Sequence, residues 1–198
     1  MCLSRNEVLE ISLRLVKNIP GNIVEFGVAG GHSTRKIREV VSLLETENFN
    51  GSPKAIFACD SFLGLPEKFE NLRVGYFKQS PPKIRGVEIV VGYFEDSLTS
   101  ALKKKIGKVS FVHFDADLYS STLCCLNWIT PLLQPGTLLL FDEFYSEKES
   151  EKRAFEEWSK SHGKKIRTLK TAEFLRPPAG FGINLDARVL YQVTEVDG

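Results

Sequence analysis

Two apolar runs, Val109-Ser110-Phe111-Val112-His113-Phe114 and Thr137-Leu138-Leu139-Leu140-Phe141, each end on acids, the first on Asp115 and the second on the pair Asp142-Glu143. Short runs this apolar, bounded by turn signals, predict strands buried on both faces. The stretch from Ser120 to about Leu133 between them reads as a helix. Strand, helix, strand is a crossover unit, and a crossover makes its two strands parallel. The 27 residues from Asp115 to Asp142 suffice for such a crossover, so both acids return to the same sheet edge. Open α/β sheets bind ligands at that edge, beyond the carboxyl ends of the strands. Asp115, Asp142 and Glu143 therefore face one crevice. Three unpaired carboxylates in a partly dry site would repel one another strongly, and a divalent cation or a shared proton resolves the conflict. All-oxygen ligation favours magnesium, calcium or manganese over zinc.

The rest of the chain repeats the alternation. Leu3, Val8, Ile11 and Leu15 fall on one helical face, and Pro20-Gly21 ends an N-terminal helix placed within residues 1–20. Residues 22–26 read as a strand, Gly27-Val28-Ala29-Gly30-Gly31 as a tight turn, and Ser33 or Thr34 as the start of a helix to about Leu44. A second strand over 54–59 ends at Asp60, and a third over 87–91 ends at Gly92. The connection over 63–86 holds Gly64, Pro66, Gly75, Pro81, Pro82 and Gly86; it is longer than the topology needs and is a candidate lid. A charged helix over 147–161 buries Phe155 and Trp158, and strands over 165–169 and 188–193 close the fold. The loop over 174–182 between them, rich in proline and glycine, is a second candidate lid. The expectation is one α/β domain over residues 1–198, a Rossmann-like sandwich whose seven-stranded sheet is mostly parallel with an antiparallel edge strand.

Composition removes several alternatives. The 26 basic and 25 acidic residues are well mixed and leave a net charge of +1, so nothing argues for nucleic acid or a membrane surface as partner. No apolar run approaches the roughly 20 residues of a spanning helix. Arg5, Asn6, Glu7 and Glu10 stand where a signal peptide would have its apolar core, which leads to the expectation of a cytoplasmic protein. Cys2, Cys59, Cys124 and Cys125 lack metal-ligand spacing and read as thiols in a reducing compartment.

Glycines after the first strand let the backbone pass close to a ligand, and the following helix offers free N–H groups. The turn does not match G-x-G-x-x-G, and Glu25 before it suits a ligand presenting an ammonium or hydroxyl groups; an ordinary tight turn is the plain alternative. Asp60 is placed to accept hydrogen bonds from a ribose diol, or else to cap a helix. Gly92-Tyr93-Phe94-Glu95-Asp96-Ser97 offers an aromatic wall and polar atoms for a purine, although Tyr93 and Phe94 alone would equally suit a core.

Taken together, Val24-Glu25-Phe26-Gly27-Val28-Ala29-Gly30-Gly31, Cys59-Asp60-Ser61-Phe62-Leu63-Gly64-Leu65-Pro66, Gly92-Tyr93-Phe94-Glu95-Asp96-Ser97-Leu98, the block from His113 to Thr122 and the block from Pro135 to Tyr145 resemble the macrocin O-methyltransferase (TylF-like) family. The resemblance implies a class I methyltransferase fold that uses S-adenosylmethionine, with magnesium aiding methylation of a hydroxyl on a sugar or small natural product. By position it implies Glu25 and Gly27 at the methionine part of the cofactor, Asp60 at the ribose, and Tyr93, Phe94 and Asp96 around the adenine. Phe26, Val28, Gly31, Ser33, Ser61, Phe62, Gly92, Asp115 and Ala116, in or beside the same blocks, complete the candidate cofactor-binding set. Asp115, Asp142 and Glu143 would hold the metal; the family usually shows two aspartates where this chain has Asp142-Glu143. Asp115 and His32 are candidate bases for the acceptor hydroxyl. His113, on the same strand face as Asp115 but a step deeper, reads as a core histidine. A small-molecule acceptor is the expected partner, and a homo-oligomer is compatible with the reading. Two other functions fit parts of the pattern: a non-catalytic S-adenosylmethionine-binding protein, and a metal-dependent hydrolase or phosphotransferase built on the same acids.

Overall fold

The computed structural model describes residues 3–47, 53–69, 71–145, 150–163, 166–175 and 187–196. The first helix, α1 (Arg5–Leu15), starts at Ser4, whose amide donates to the Glu7 carboxylate at 2.8 Å while its hydroxyl accepts from the Glu7 amide at 3.3 Å. This reciprocal pair satisfies donors that a helix start leaves open. The chain continues as β1 (Asn22–Phe26), α2 (His32–Thr46), β2 (Ile56–Asp60), β3 (Glu88–Val91), α3 (Phe94–Ser97), α4 (Ser100–Ile106), β4 (Val109–Phe114), α5 (Tyr119–Ile129), β5 (Leu138–Phe141), α6 (Ser150–His162), β6 (Ile166–Leu175) and β7 (Ala187–Val196). Among the described residues the seven strands form one sheet in the order β3-β2-β1-β4-β5-β7-β6. The pairs β3·β2, β2·β1, β1·β4 and β4·β5 are parallel, and β7 is antiparallel to both β5 and β6. The expected Rossmann-like sheet with an antiparallel margin is therefore present.

Strand order reverses between β1 and β4, and such a switch point opens a crevice at the carboxyl edge. Alternation along the strands sends successive residues to opposite layers. Val24 and Phe26 of β1, Val112 and Phe114 of β4 and Phe141 of β5 pack toward α5 and α6, where Phe155 and Trp158 are buried. Ile23, Phe111, Leu138 and Leu140 pack the other way, against Val8, Leu9 and Leu13 of α1 and Ile37 and Val41 of α2. By the same alternation Glu25, His113 and Asp142 belong to the α1/α2 layer. That placement decides what meets the acids.

Several boundaries differ from the sequence expectation. The helix after β4 ends at Ile129 and passes into a 3-10 turn, Thr130–Leu132, because Pro131 has no N–H to continue an α-helix. The second strand starts at Ile56 and not at Lys54, whose ammonium instead donates to the Gly21 carbonyl at 3.2 Å and the Ser110 hydroxyl at 3.0 Å. Strands β6 and β7 run 10 residues each, longer than expected, since they pair with each other along the whole hairpin. The start of the charged helix before Ser150, and residues 176–182 of the second candidate lid, lie outside the described residues.

Candidate functional site

The site begins at a close approach between two backbones. Gly27 has φ +88°, and a Cβ there would run into the Asp115 carbonyl. The Asp115 amide donates to the Phe26 carbonyl at 2.8 Å, which locks the ends of β1 and β4 together. Beside them, Asp60 Oδ2 accepts from the amides of Val28 at 2.8 Å and Ala29 at 2.9 Å, while Oδ1 accepts from the Phe62 amide at 2.8 Å. The acid ending β2 thus holds both the glycine turn and its own following loop.

These strand ends surround a cavity of about 230 Å³. Gly27, Val28, Ala29, Asp60, Ser61, Tyr93, Phe94, Asp115 and Ala116 line it, so four strand ends share one crevice; of the three acids expected to face a crevice together, Asp115 and Glu143 line this one and the buried Asp142 does not. Gly64, Leu65, Pro66 and Phe77 bring the 63–86 segment into the wall, and Arg5, Glu95, Asp117, Leu118, Ser121 and Glu143 complete it.

Other expected site residues stand elsewhere. Phe26 is a core residue, its ring 5.7 Å from Phe94 and 5.5 Å from Phe114. Phe62 is buried with Val28 and Ala58. Gly31 and Ser33 are buried at the start of α2, and Gly92 and Asp96 are outside the cavity wall, Asp96 being exposed. His32 is also exposed and does not line the cavity. Glu25 lies beneath it, fully buried; it accepts from the Thr34 hydroxyl and pairs with His113 Nδ1 at 3.0 Å. A carboxylate spent on those two partners supports the turn from below.

The acid pair has cationic partners. Asp142, with no exposed surface, accepts from Arg188 Nε at 2.6 Å and from Arg5 Nε at 3.1 Å, and takes a further bond from an Arg5 terminal nitrogen. Arg5 also reaches Asp115, with contacts of 3.3 and 3.4 Å. His113 Nε2 stands 3.9 Å from Asp142, an electrostatic pair and not a hydrogen bond. Burial alone would raise the Asp142 pKa, yet His113, Arg5 and Arg188 hold it well below the usual carboxylate range. Burial and the Asp142 charge push Asp115 up to about 7, against the pull of Arg5 and His113. Burial would lower His113, but the Asp142 and Glu25 carboxylates outweigh it and raise the imidazole to about 9. Asp117 and Glu151 are both pushed well above the usual range, first by burial and then by neighbouring acids.

The expected metal triad is brought together only in part. Asp115 and Asp142 share Arg5, while Glu143 lines the cavity and its amide donates to the Glu151 carboxylate at 2.9 Å. Among the described residues no group of three or more histidine, cysteine or acidic side chains is disposed to hold a metal. With both Asp142 oxygens accepting guanidinium bonds, this arrangement does not fit a divalent ion. The cavity does fit a nucleoside-bearing cofactor, because it joins a close-approach glycine, an acid and two aromatic rings. Sequence reasoning missed Arg5, Phe77 and Asp117. For Arg5 the Ser4-x-x-Glu7 capping signal gave only its position at a helix start, and its reach across the fold left no local trace.

The sheet order, the glycine turn after β1 and the acid at the end of β2 together define a class I, S-adenosylmethionine-dependent methyltransferase fold. Residues 24–144 match a family described as a methyltransferase domain, and the chain belongs to that family. A relative from Streptomyces olivaceus, named 8-demethyl-8-(2,3-dimethoxy-alpha-L-rhamnosyl)-tetracenomycin-C 4'-O-methyltransferase, is 25% identical over an alignment 153 residues long that covers 66% of this chain and 55% of that protein. The chain thus spans about half the length of this curated relative. The solved structure of the O-methyltransferase NovP superposes with a TM-score of 0.72 at 21% identity, covering 96% of this chain and 80% of that one. CalS11, a calicheamicin methyltransferase, gives 0.68 at 18% identity, covering 94% and 77%. Both likenesses show the shared fold.

Proposed function

We propose that this chain is an S-adenosylmethionine-dependent O-methyltransferase of the macrocin (TylF-like) branch, acting on a hydroxyl of a sugar or small natural product. The observation that carries the reading is the single cavity that runs from Gly27, Asp60, Tyr93 and Phe94 to Asp115. The name of the Streptomyces olivaceus relative, a 4'-O-methyltransferase of a rhamnosyl compound, supports the acceptor class. When bound, the cofactor supplies an electrophilic sulfonium methyl group. The chain's own work is to align an acceptor oxygen with that methyl and to take up the hydroxyl proton. Asp60, held in place by the Val28 and Ala29 amides, forms the polar floor for a ribose, and Tyr93 and Phe94 the apolar wall for a base. Asp115, 19% exposed to the cavity, is the proton acceptor we favour, since a carboxylate held near 7 is basic enough to accept a proton and still ionised in part at neutral pH. His32, outside the cavity wall, is the weaker choice.

Divalent-metal assistance is the finer reading that the family resemblance suggests. It would require Arg5 to withdraw from Asp142, and we favour proton transfer to Asp115 without it. A metal-dependent hydrolase would need the same displacement and leaves the Gly27-to-Phe94 wall without a purpose. The three described cysteines are free thiols, and we propose the cytoplasm as the compartment. No helix among the described residues is long and apolar enough to cross a membrane. The test is calorimetric titration with S-adenosylhomocysteine, then release of that product from S-adenosylmethionine on a panel of rhamnosylated and other glycosylated acceptors, with and without chelator. Cofactor binding with no turnover on any hydroxyl would leave a non-catalytic binding protein, and no cofactor binding would overturn the reading.

A further inference from the structure

A cation at the first position of a helix is disfavoured by the helix's own dipole, so α1 does not explain why Arg5 stands there. The acids do. The α1 helix is fixed against the sheet by Val8, Leu9 and Leu13, all buried, and its start is pinned by the Ser4–Glu7 pair. That anchoring delivers the planar guanidinium fork to the layer in which Asp142 emerges. One edge of the fork serves Asp142, and its terminal nitrogens also reach Asp115. Forked donors of fixed geometry match two carboxylates in a way that an ammonium cannot.

We propose that Arg5 is a built-in cation, standing on Asp115 and Asp142 in the place where a divalent ion would sit and holding the acid pair in position without a metal. Charge accounting agrees with the geometry. Asp115 and Asp142 bring two negative charges when ionised, and Arg5 and Arg188 bring two positive ones to the same contacts. His113 faces Glu25 as its own nearest partner. A divalent ion beside Asp142 would have to share that fully buried carboxylate with Arg5 and Arg188, which together already occupy both of its oxygens. Arg5 is in this reading a positioning residue, and the reading rests on the proposal that methyl transfer occurs at this edge. Seating of the N-terminal helix then becomes a condition for an ordered acid pair, which couples α1 to the far end of the cofactor cavity.

The experiment is a titration of the full chain with Mn²⁺, followed by paramagnetic resonance and calorimetry, comparing wild type with Arg5→Met, which keeps bulk and removes charge. The expected result is Mn²⁺ binding at least tenfold tighter in Arg5→Met than in wild type. Equal affinity in the two, or no binding in either, overturns the proposal, because Arg5 would then not be what fills the cation position. Circular dichroism checks that the variant folds. If it does not, Arg5→Lys carries the same comparison, with a smaller gain expected since one charge remains and the fork is lost. Titration of wild type with S-adenosylhomocysteine tests the methyltransferase reading separately, since its failure would leave the Mn²⁺ comparison intact.

Discussion

Asp60 accepts the Val28 amide at 2.8 Å, so the acid that ends β2 fixes the backbone of the turn that ends β1. With the Ala29 amide at 2.9 Å on the same oxygen, the carboxylate compensates a turn in which Ala29 itself sits at φ 45°. Such left-handed geometry is uncommon for a residue with a side chain and persists where its surroundings enforce it. Asp60→Asn keeps the shape but replaces one carboxylate oxygen with a donor. We expect it to weaken S-adenosylhomocysteine binding by about 1–3 kcal/mol and to lower the thermal transition as well, because the new donor faces a backbone amide that the carboxylate accepts. Calorimetry of the two proteins decides it; unchanged affinity would remove Asp60 from the cofactor site.

Gly27→Ala probes the β1–β4 contact from the other side. The added methyl would collide with the Asp115 carbonyl, a backbone atom that cannot step aside as a flexible side chain could. Loss of about 2–4 kcal/mol of stability is expected, from the left-handed strain together with the overlap. Urea unfolding at neutral pH measures it, and a loss under 1 kcal/mol would mean that the close approach is easily relaxed.

The pH dependence of turnover follows from Asp115. Burial and the Asp142 charge raise its carboxyl to about 7, so a base role requires activity to rise as the acid ionises, with the acid-side midpoint near that value. The apparent midpoint belongs to the linked Asp115–Asp142 pair. Asp115→Asn, nearly equal in shape, should lower kcat by on the order of 100-fold or more with a small change in cofactor affinity. A profile flat from pH 5.5 to about 8, or turnover retained in the variant, would exclude Asp115 as the base.

Much of this arrangement was legible in the sequence, and the parts that were not share a cause. The β4–α5–β5 crossover, the glycine turn and the acids at Asp60, Asp115 and Asp142 follow from strand periodicity and from the rule that parallel strands carry ligands at their carboxyl ends. Those are local patterns joined by one topological rule. The partners of the acids are not local. Arg5 lies 137 residues from Asp142, and nothing in the pattern of α1 shows that its first residue reaches over the edge of the sheet. The three carboxylates accordingly suggested a metal, because the cations that balance two of them come from opposite ends of the chain. Glu25 illustrates the same limit. Its position before the turn suggested a ligand contact, whereas strand alternation turns it into the α1/α2 layer, beneath the cavity and against His113 and Thr34.

The 63–86 segment contributes Gly64, Leu65, Pro66 and Phe77 to the cavity wall, and we expect it to become better protected when the cofactor product binds. Phe77 is 46% exposed, so an apolar ring at the wall has surface left to cover with a ligand. Hydrogen exchange on the full chain with and without S-adenosylhomocysteine reads this directly. Slower exchange confined to these residues and to the glycine turn is the expected pattern, and equal rates in both states would make the segment a fixed wall and not a lid.

The buried His113 gives the last prediction, a dependence of stability on pH. Its folded pKa of about 9 lies above the ordinary 6.5, since Asp142 and Glu25 favour the charged ring more than burial opposes it. A raised pKa means that the folded state holds the proton more tightly than the unfolded chain does. The contribution is therefore complete below about pH 6.5 and is lost as pH rises through about 9. Asp142 has the opposite sign: its depressed pKa contributes above the ordinary 3.8 and is lost as the solution is acidified through its folded value. His113→Gln removes the first contribution and leaves most other titrations in common with wild type. The stability difference between the two proteins should be larger at pH 6 than at pH 10 by on the order of 3 kcal/mol. Urea unfolding at both values tests it. A difference that does not change with pH would show that His113 is neutral in the fold, held by its hydrogen bond to Glu25 and not by charge.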